Sequence, residues 1–116
     1  MGQVDEKKLA AYRETIERVL KPYTAIRYAN GEIENEAVFD RERDRYLIVS
    51  VGWQGVRRVQ HCLIHVDIRN GKVWIQRDGT EDGIAPELEA AGIPKADIVL
   101  GFHSLEDRPL TGYAVA

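Results

Sequence analysis

The stretch "HCLIHVDIRNGKVWIQ", residues 61–76, decides the fold. Its first half alternates apolar and polar residues with a period of two, which is typical of a half-buried β-strand. Asn70 and Gly71 both tolerate a positive φ, and this pair is the strongest short signal for a two-residue hairpin turn. A second alternating segment follows the turn. The stretch therefore predicts adjacent antiparallel strands at residues 58–69 and 72–77.

A two-residue turn also predicts which side chains share a face of the hairpin. The residues expected to face inward are Cys62, Ile64, Val66, Ile68, Val73 and Ile75. On the outward face, the register places Asp67 opposite Trp74 and His65 opposite Gln76. An aromatic side chain on such a face indicates an interface or a groove.

His61 and His65 have the spacing of a metal site on a helix, as in the zinc peptidase motif H-E-x-x-H. On a strand with a rise of about 3.3 Å per residue, they stand roughly 13 Å apart and cannot share one ion. The sequence therefore predicts no metal and no cofactor. His65 and Asp67, about 7 Å apart on one face, are predicted to be near neighbours without a direct hydrogen bond. They are either a functional pair or two polar residues of an interface.

Length and charge restrict the classes of protein. A chain of 116 residues predicts a single domain over residues 1–116. The net charge is −3 and only Arg57-Arg58 is locally basic, so direct DNA contact is expected to be weak or indirect. One cysteine, Cys62, predicts an inert core thiol in a reducing cytoplasm. The absence of a secretory signal and of a long apolar run predicts a cytoplasmic protein without membrane contact.

Helical periodicity flanks the strands on both sides. An amphipathic helix is predicted at residues 6–21, with Asp5 as N-cap and Pro22 as the stop signal. A second helix carries Ile84, Leu88 and Ala91, and must begin near Asp82 or later because of a proline.

Further strands are predicted around the hairpin. They cover residues 33–40, 46–53 and, in a short apolar run, 98–100. A turn at Asn30-Gly31 precedes the first of them.

The order of elements predicts an α+β fold, a two-layer sandwich in which two helices cover one face of an antiparallel meander sheet. The other face is predicted to contact another protein chain, most simply in a homodimer. The residues of this predicted surface are Trp53, Arg57, Arg58, His65, Asp67, Trp74 and Gln76. In the alternative interpretation, the C-terminal tail with Tyr113 and Val115 folds back over Trp74.

Several short motifs follow one another in an order that resembles a known family. They are "YRETIERVL", "VFDRERDRY", "VGW", "RR", "IHVDI", "GKVWIQ", "GTE", "IPKADIVLGF" and "TGYAVA", between residues 12 and 116. The sequence closely resembles the XisI-like family, the fdxN-element excision controlling factors of filamentous cyanobacteria. The segment 103–110 is less similar to the family than its flanks.

The resemblance implies a non-catalytic accessory role in programmed excision of a DNA element, with an XisH-like protein as partner. It supplies no catalytic residues. Two other functions remain open from the residues alone. One is direct DNA binding through Arg57, Arg58 and Lys72, and the other is a small enzyme that uses His65 and Asp67 with Arg57 or Arg58.

Overall fold

One open sheet of five strands organises the residues that the computed structural model describes, which are 5–28 and 32–116. The strands are β1 (Glu32–Asp40), β2 (Arg45–Gln54), β3 (Arg57–Arg69), β4 (Lys72–Asp78) and β5 (Ile98–Leu100), and they lie in that order. The first four form an antiparallel meander, as predicted. The last strand joins β4 in parallel. The predicted turn at Asn30-Gly31 lies outside the described residues.

Two helices frame the sheet in sequence. Helix α1 (Glu6–Leu20) begins where the Asp5 side chain accepts hydrogen bonds from two backbone amides, and a one-turn 3-10 helix that contains Pro22 follows it. Helix α2 (Ala85–Ala90) carries its proline in the first turn, where a missing backbone N–H costs little. In the part of the chain described, neither helix is long and apolar enough to span a membrane.

The core lies between the helices and one face of the sheet, called here the inner face. Its buried apolar residues come from both helices, from β2 to β5 and from the segment around α2. They are Tyr12, Ile16, Leu20, Tyr46, Ile48, Ile64, Val66, Val73, Ile75, Ile84, Ala85, Leu88, Ile93 and Ile98. The predicted two-layer α+β architecture, with both helices on one face, is confirmed.

The hairpin between β3 and β4 turns at Asn70 and Gly71, whose φ angles are 52° and 76°. Both are positive, as a two-residue turn requires. The predicted pairs Asp67–Trp74 and Val66–Ile75 are present, but the pairing of His65 with Gln76 is wrong. The register shifts there, and His65 lies opposite Arg77. A β-bulge, in which Gln76 is the extra residue of β4, explains the difference.

A second bulge changes the faces of β3 further along. Ile64 pairs with Ile48, but the next pair joins Cys62 to Val49, so Leu63 is the additional residue. Leu63 packs against the core, whereas Cys62 lies on the outer face beside Val49. The predicted inward orientation of Cys62 is therefore wrong, because one added residue reverses the alternation.

The C-terminal segment, residues 101–116, covers the far edge of the sheet. Ala114 bridges to Val99 of β5, and its amide donates to the Ile98 carbonyl at 2.8 Å. Tyr113 donates a hydrogen bond to Glu89 of α2. The segment thus closes the edge beyond β5 and leaves the outer face of β1 to β3 open.

Candidate protein-interaction surface

Asp67 is the centre of a hydrogen-bonded cluster on the outer face. Only 2% of the residue is exposed. Its Oδ1 lies 2.6 Å from His65 Nε2, while its Oδ2 accepts from Arg69 Nε at 3.0 Å and from Gln76 Nε2 at 3.3 Å. The prediction that His65 and Asp67 would not bond directly is wrong. The adjacent bulge increases the local twist of the strand and brings the two side chains together.

The arrangement of the Asp67 cluster suits a structural task better than catalysis. Arg69 compensates the buried carboxylate, and its own side chain remains 54% exposed. Within the described residues, the side-chain hydrogen bonds of His65 end at Asp67. Among residues 5–28 and 32–116, no hydroxyl or thiol forms a hydrogen bond with the imidazole, and the pair forms part of a rigid polar surface.

Trp74 is partly covered by the chain itself. The Arg108 guanidinium lies over its ring, 5.2 Å from the centroid, and the indole Nε1 is buried without a hydrogen-bond partner in the described structure. The start of the C-terminal segment also lies close to Trp74, which is possible because residue 101 is a glycine. A Cβ at Gly101 would lie 3.1 Å from the Trp74 ring and 2.7 Å from Gln76 Oε1. The alternative interpretation of the sequence, in which the C-terminal tail folds back over Trp74, is confirmed in part. The covering residue is Arg108 rather than Tyr113 or Val115.

Trp53 and Arg58 form a second group at the other end of the outer face. The two residues pair across β2 and β3, and the Arg58 guanidinium lies 5.2 Å from the Trp53 ring centroid. Arg57 is the residue before Arg58 in β3, so its side chain points to the opposite face of the sheet. There it donates a hydrogen bond to Gln54. At about 3.3 Å per residue, Arg58 is roughly 23 Å from His65 along β3. The structure therefore divides the predicted surface into two groups.

Apolar residues occupy the outer face between these groups. The outer patch, as we name it, consists of Val38, Leu47, Val49, Val51 and Trp53. Val38 is 48% and Trp53 47% exposed. Of these five residues, only Trp53 was predicted from the sequence to belong to a contact surface. The alternation of "YLIVSVGW" already assigns Leu47, Val49 and Val51 to one face.

Cys62 borders the outer patch. Burial raises the pKa of its thiol, an effect that nearby Arg77 opposes only in part. The thiol also donates a weak hydrogen bond to the Ile64 carbonyl at 3.3 Å. Burial favours the unreactive protonated form, and the inertness of Cys62 remains a prediction.

The meander sheet, the two helices on its inner face and the polar cluster on its outer face define a small two-layer α+β protein. The chain belongs to the XisI family, since the XisI protein family matches residues 6–115. No curated protein matches the chain.

Two solved structures are similar to this protein over nearly their whole length. A XisI-like protein from Anabaena variabilis shares 38% of its residues, with a TM-score of 0.85 over 93% of this chain and 99% of that one. The fdxN element excision controlling factor XisI from Anabaena variabilis shares 42%, with a TM-score of 0.78 over 94% and 99%. These likenesses extend through the C-terminal half, which contains the Asp67 cluster.

Proposed function

We propose that this protein is a non-catalytic accessory factor that controls programmed excision of a DNA element. The observation that carries the proposal is its membership of the XisI family together with 42% identity to a protein described as an fdxN element excision controlling factor. The protein acts in the cytoplasm, where the chromosome and the recombinase are found. The recombination chemistry belongs to the recombinase, and this protein acts on that machinery by contact.

The contact is made with an XisH-like partner at the end of the molecule that carries the Asp67 cluster. The C-terminal segment presents exposed apolar side chains there, with Phe102 at 49%, Leu105 at 70% and Leu110 at 85% exposure. Arg108 of the same segment contacts Trp74. A rigid polar cluster beside exposed apolar residues has the composition of a protein interface, in which aromatic residues and arginine are the common anchors.

An excision assay tests the function. In cells that carry a reporter element, its recombinase and the XisH-like protein, the excision frequency is expected to change when this protein is removed and to recover when it is supplied again. His65 also belongs to the proposed partner surface, so binding of the XisH-like protein by the His65→Ala variant is measured in parallel. A variant that still binds should restore the frequency as well as the natural protein does, because no catalysis depends on the imidazole. An unchanged frequency on removal of this protein refutes the function, and loss of excision by a His65→Ala variant that still binds favours the enzyme alternative.

Direct DNA binding is the second candidate, and the arginines of the outer face favour it. Arg45, Arg58 and Arg69 share that face and are exposed. The net charge of −3 weighs against it, because phosphate contacts require a basic surface. A gel-shift titration at several salt concentrations decides, since binding through phosphates weakens steeply with salt. We expect no shift at physiological salt.

A further inference from the structure

The end of the sheet at the turn between β2 and β3 is only partly covered. None of the residues 51–63, which form the distal parts of β2 and β3 and their turn, is buried. Val51 and Trp53 of the outer patch lie at this end, and the other members, Val38, Leu47 and Val49, follow on the same face of β1 and β2. None of the five is buried. An exposed apolar area of this kind on a protein surface marks a contact site.

Charge is distributed across the outer face in columns. The strand register sets Glu32, Trp53 and Arg58 in one row, and Glu34, Val51 and Gln60 in the next. The third row holds Glu36, Val49 and Cys62. The β1 column is therefore acidic, the β2 column is apolar, and a base ends the first row on β3. None of the three glutamates forms an ion pair with a described residue.

We propose that the outer patch is a homodimer interface, in which two copies pack outer face to outer face about a twofold axis along β2. This axis sets the apolar β2 column against its own copy and β1 against β3 of the other copy. Glu32 then faces Arg58 of the partner subunit, and the partner's Glu32 faces Arg58. The acidic β1 column meets Arg58 only in this crossed arrangement, so the second copy is the occupant that fits the charges.

The dimensions agree with face-to-face packing. Stacked sheets lie about 10 Å apart, with strand directions within about 30° of each other. Valine side chains fill such a gap from both sides, and a glutamate with an arginine spans it at the rim. The charged residues therefore form the polar rim of an apolar centre, which is the usual anatomy of an interface.

Pairing through the free edge of β1 is another way in which two copies could join, and its charges oppose it. Antiparallel partners share a face of the sheet, so the acidic outer residues of β1 would lie opposite one another in every register with substantial overlap. Glu34 would face Glu36 in one register, and Glu36 its own copy in the next. Like charges directly opposite destabilise a strand pair.

Sedimentation equilibrium tests the interface with a matched pair of valines. The natural protein is expected to be a dimer and Val51→Asp a monomer, because the aspartate would lie in the apolar centre. Val56→Asp, at a valine that is 99% exposed in the β2–β3 turn, should remain a dimer. A natural protein that is monomeric at about 100 μM, well above the micromolar dissociation constants of weak specific pairs, would overturn the proposal. So would a folded Val51→Asp variant that remains a dimer.

Charge reversal tests the crossed geometry on exposed residues that the fold tolerates. Glu32→Arg and Arg58→Glu should each raise the dimer dissociation constant about tenfold, since each places like charges together twice. An equimolar mixture of the two variants should regain natural affinity, because both cross-contacts are then attractive. A mixture that associates no better than its components would exclude this arrangement of the two copies. The assay contains no XisH-like protein, so its outcome is independent of the proposed function.

Discussion

Asp67 shows how one buried carboxylate can order an otherwise open face. Its two oxygens accept from three side chains that come from two strands. Arg69 and His65 keep part of their surface in water, with 54% and 32% of the side chains exposed. The cluster therefore avoids the full desolvation penalty of a buried ion pair. It fixes the orientation of His65 and Gln76 on the surface.

Asp67→Asn should lower the free energy of unfolding by about 1–3 kcal/mol, because charge-assisted hydrogen bonds to a buried acceptor are replaced by weaker ones. Urea unfolding followed by circular dichroism measures the change. Glu34→Gln removes one exposed negative charge from the same face and should change stability by less than about 0.5 kcal/mol. Equal stability of the two variants would mean that the Asp67 cluster does not hold the face together.

Asp97 connects α1 to the segment before β5, and its ionisation gives stability a defined pH dependence. Burial alone would raise the pKa of this carboxyl, but hydrogen bonds from Lys8 and Tyr12 outweigh that effect and hold the pKa below its usual range. A carboxyl with a depressed pKa stabilises the fold above its unfolded value of about 3.9, and this contribution is lost as the pH falls through the folded value.

Asp97→Asn should therefore cost about 1–2 kcal/mol of unfolding free energy at pH 7, where the natural carboxylate is charged. The difference from the natural protein should shrink as the pH falls below about 4, because the carboxyl of the unfolded natural chain then binds a proton and the advantage of the folded carboxylate is lost by the folded pKa. Urea unfolding at pH 7, 5 and 3 gives the profile. A difference that stays constant with pH would show that the ionised form is not the stabilising one.

The elements of the sheet were predictable where local chemistry specifies them. The Asn70-Gly71 turn and the alternation of β3 and β4 fix the hairpin, and the apolar stripe of α1 fixes its buried side. The two bulges in this hairpin region carry no local signal. Each depends on how neighbouring strands accommodate an extra residue, which is why Cys62 was predicted on the wrong face and His65 opposite the wrong residue.

The pairing of β1 with β2 depends on a glycine at the point of closest approach. A Cβ at Gly52 would lie 1.9 Å from the Glu32 carbonyl oxygen. Gly52→Ala should force the two backbones apart and lower the unfolding free energy by about 2 kcal/mol or more. Thermal unfolding followed by circular dichroism measures this loss.

Gln54→Ala is the matched control for Gly52→Ala, because it changes an exposed position of the same strand. Its effect should stay within about 0.5 kcal/mol. A Gly52→Ala protein that unfolds at the same temperature as the natural protein would contradict the close approach of β1 to β2. Loss of the distal part of β1 should also weaken self-association, since Glu32 lies on that strand.

The coverage of the outer face could not be predicted from local pattern, because it joins distant parts of the chain. Arg108 reaches Trp74 from 34 residues away, and nothing in the sequence around either residue indicates the contact. The chain has two exposed regions as a result. The outer patch is the proposed homodimer surface, and the C-terminal segment beside the Asp67 cluster is the proposed partner surface. Their separation predicts that one can be disrupted without the other.

Copurification with the XisH-like protein tests most directly whether this molecule works by protein contact. The tagged natural protein should retain the XisH-like protein at a fixed molar ratio after washing at moderate salt and nuclease treatment. Leu110→Asp should reduce the retained amount at least tenfold, because it places a charge in the partner surface, while Val56→Asp should retain it fully. Absence of the XisH-like protein from the natural complex, or equal retention by Leu110→Asp, would contradict the proposed contact.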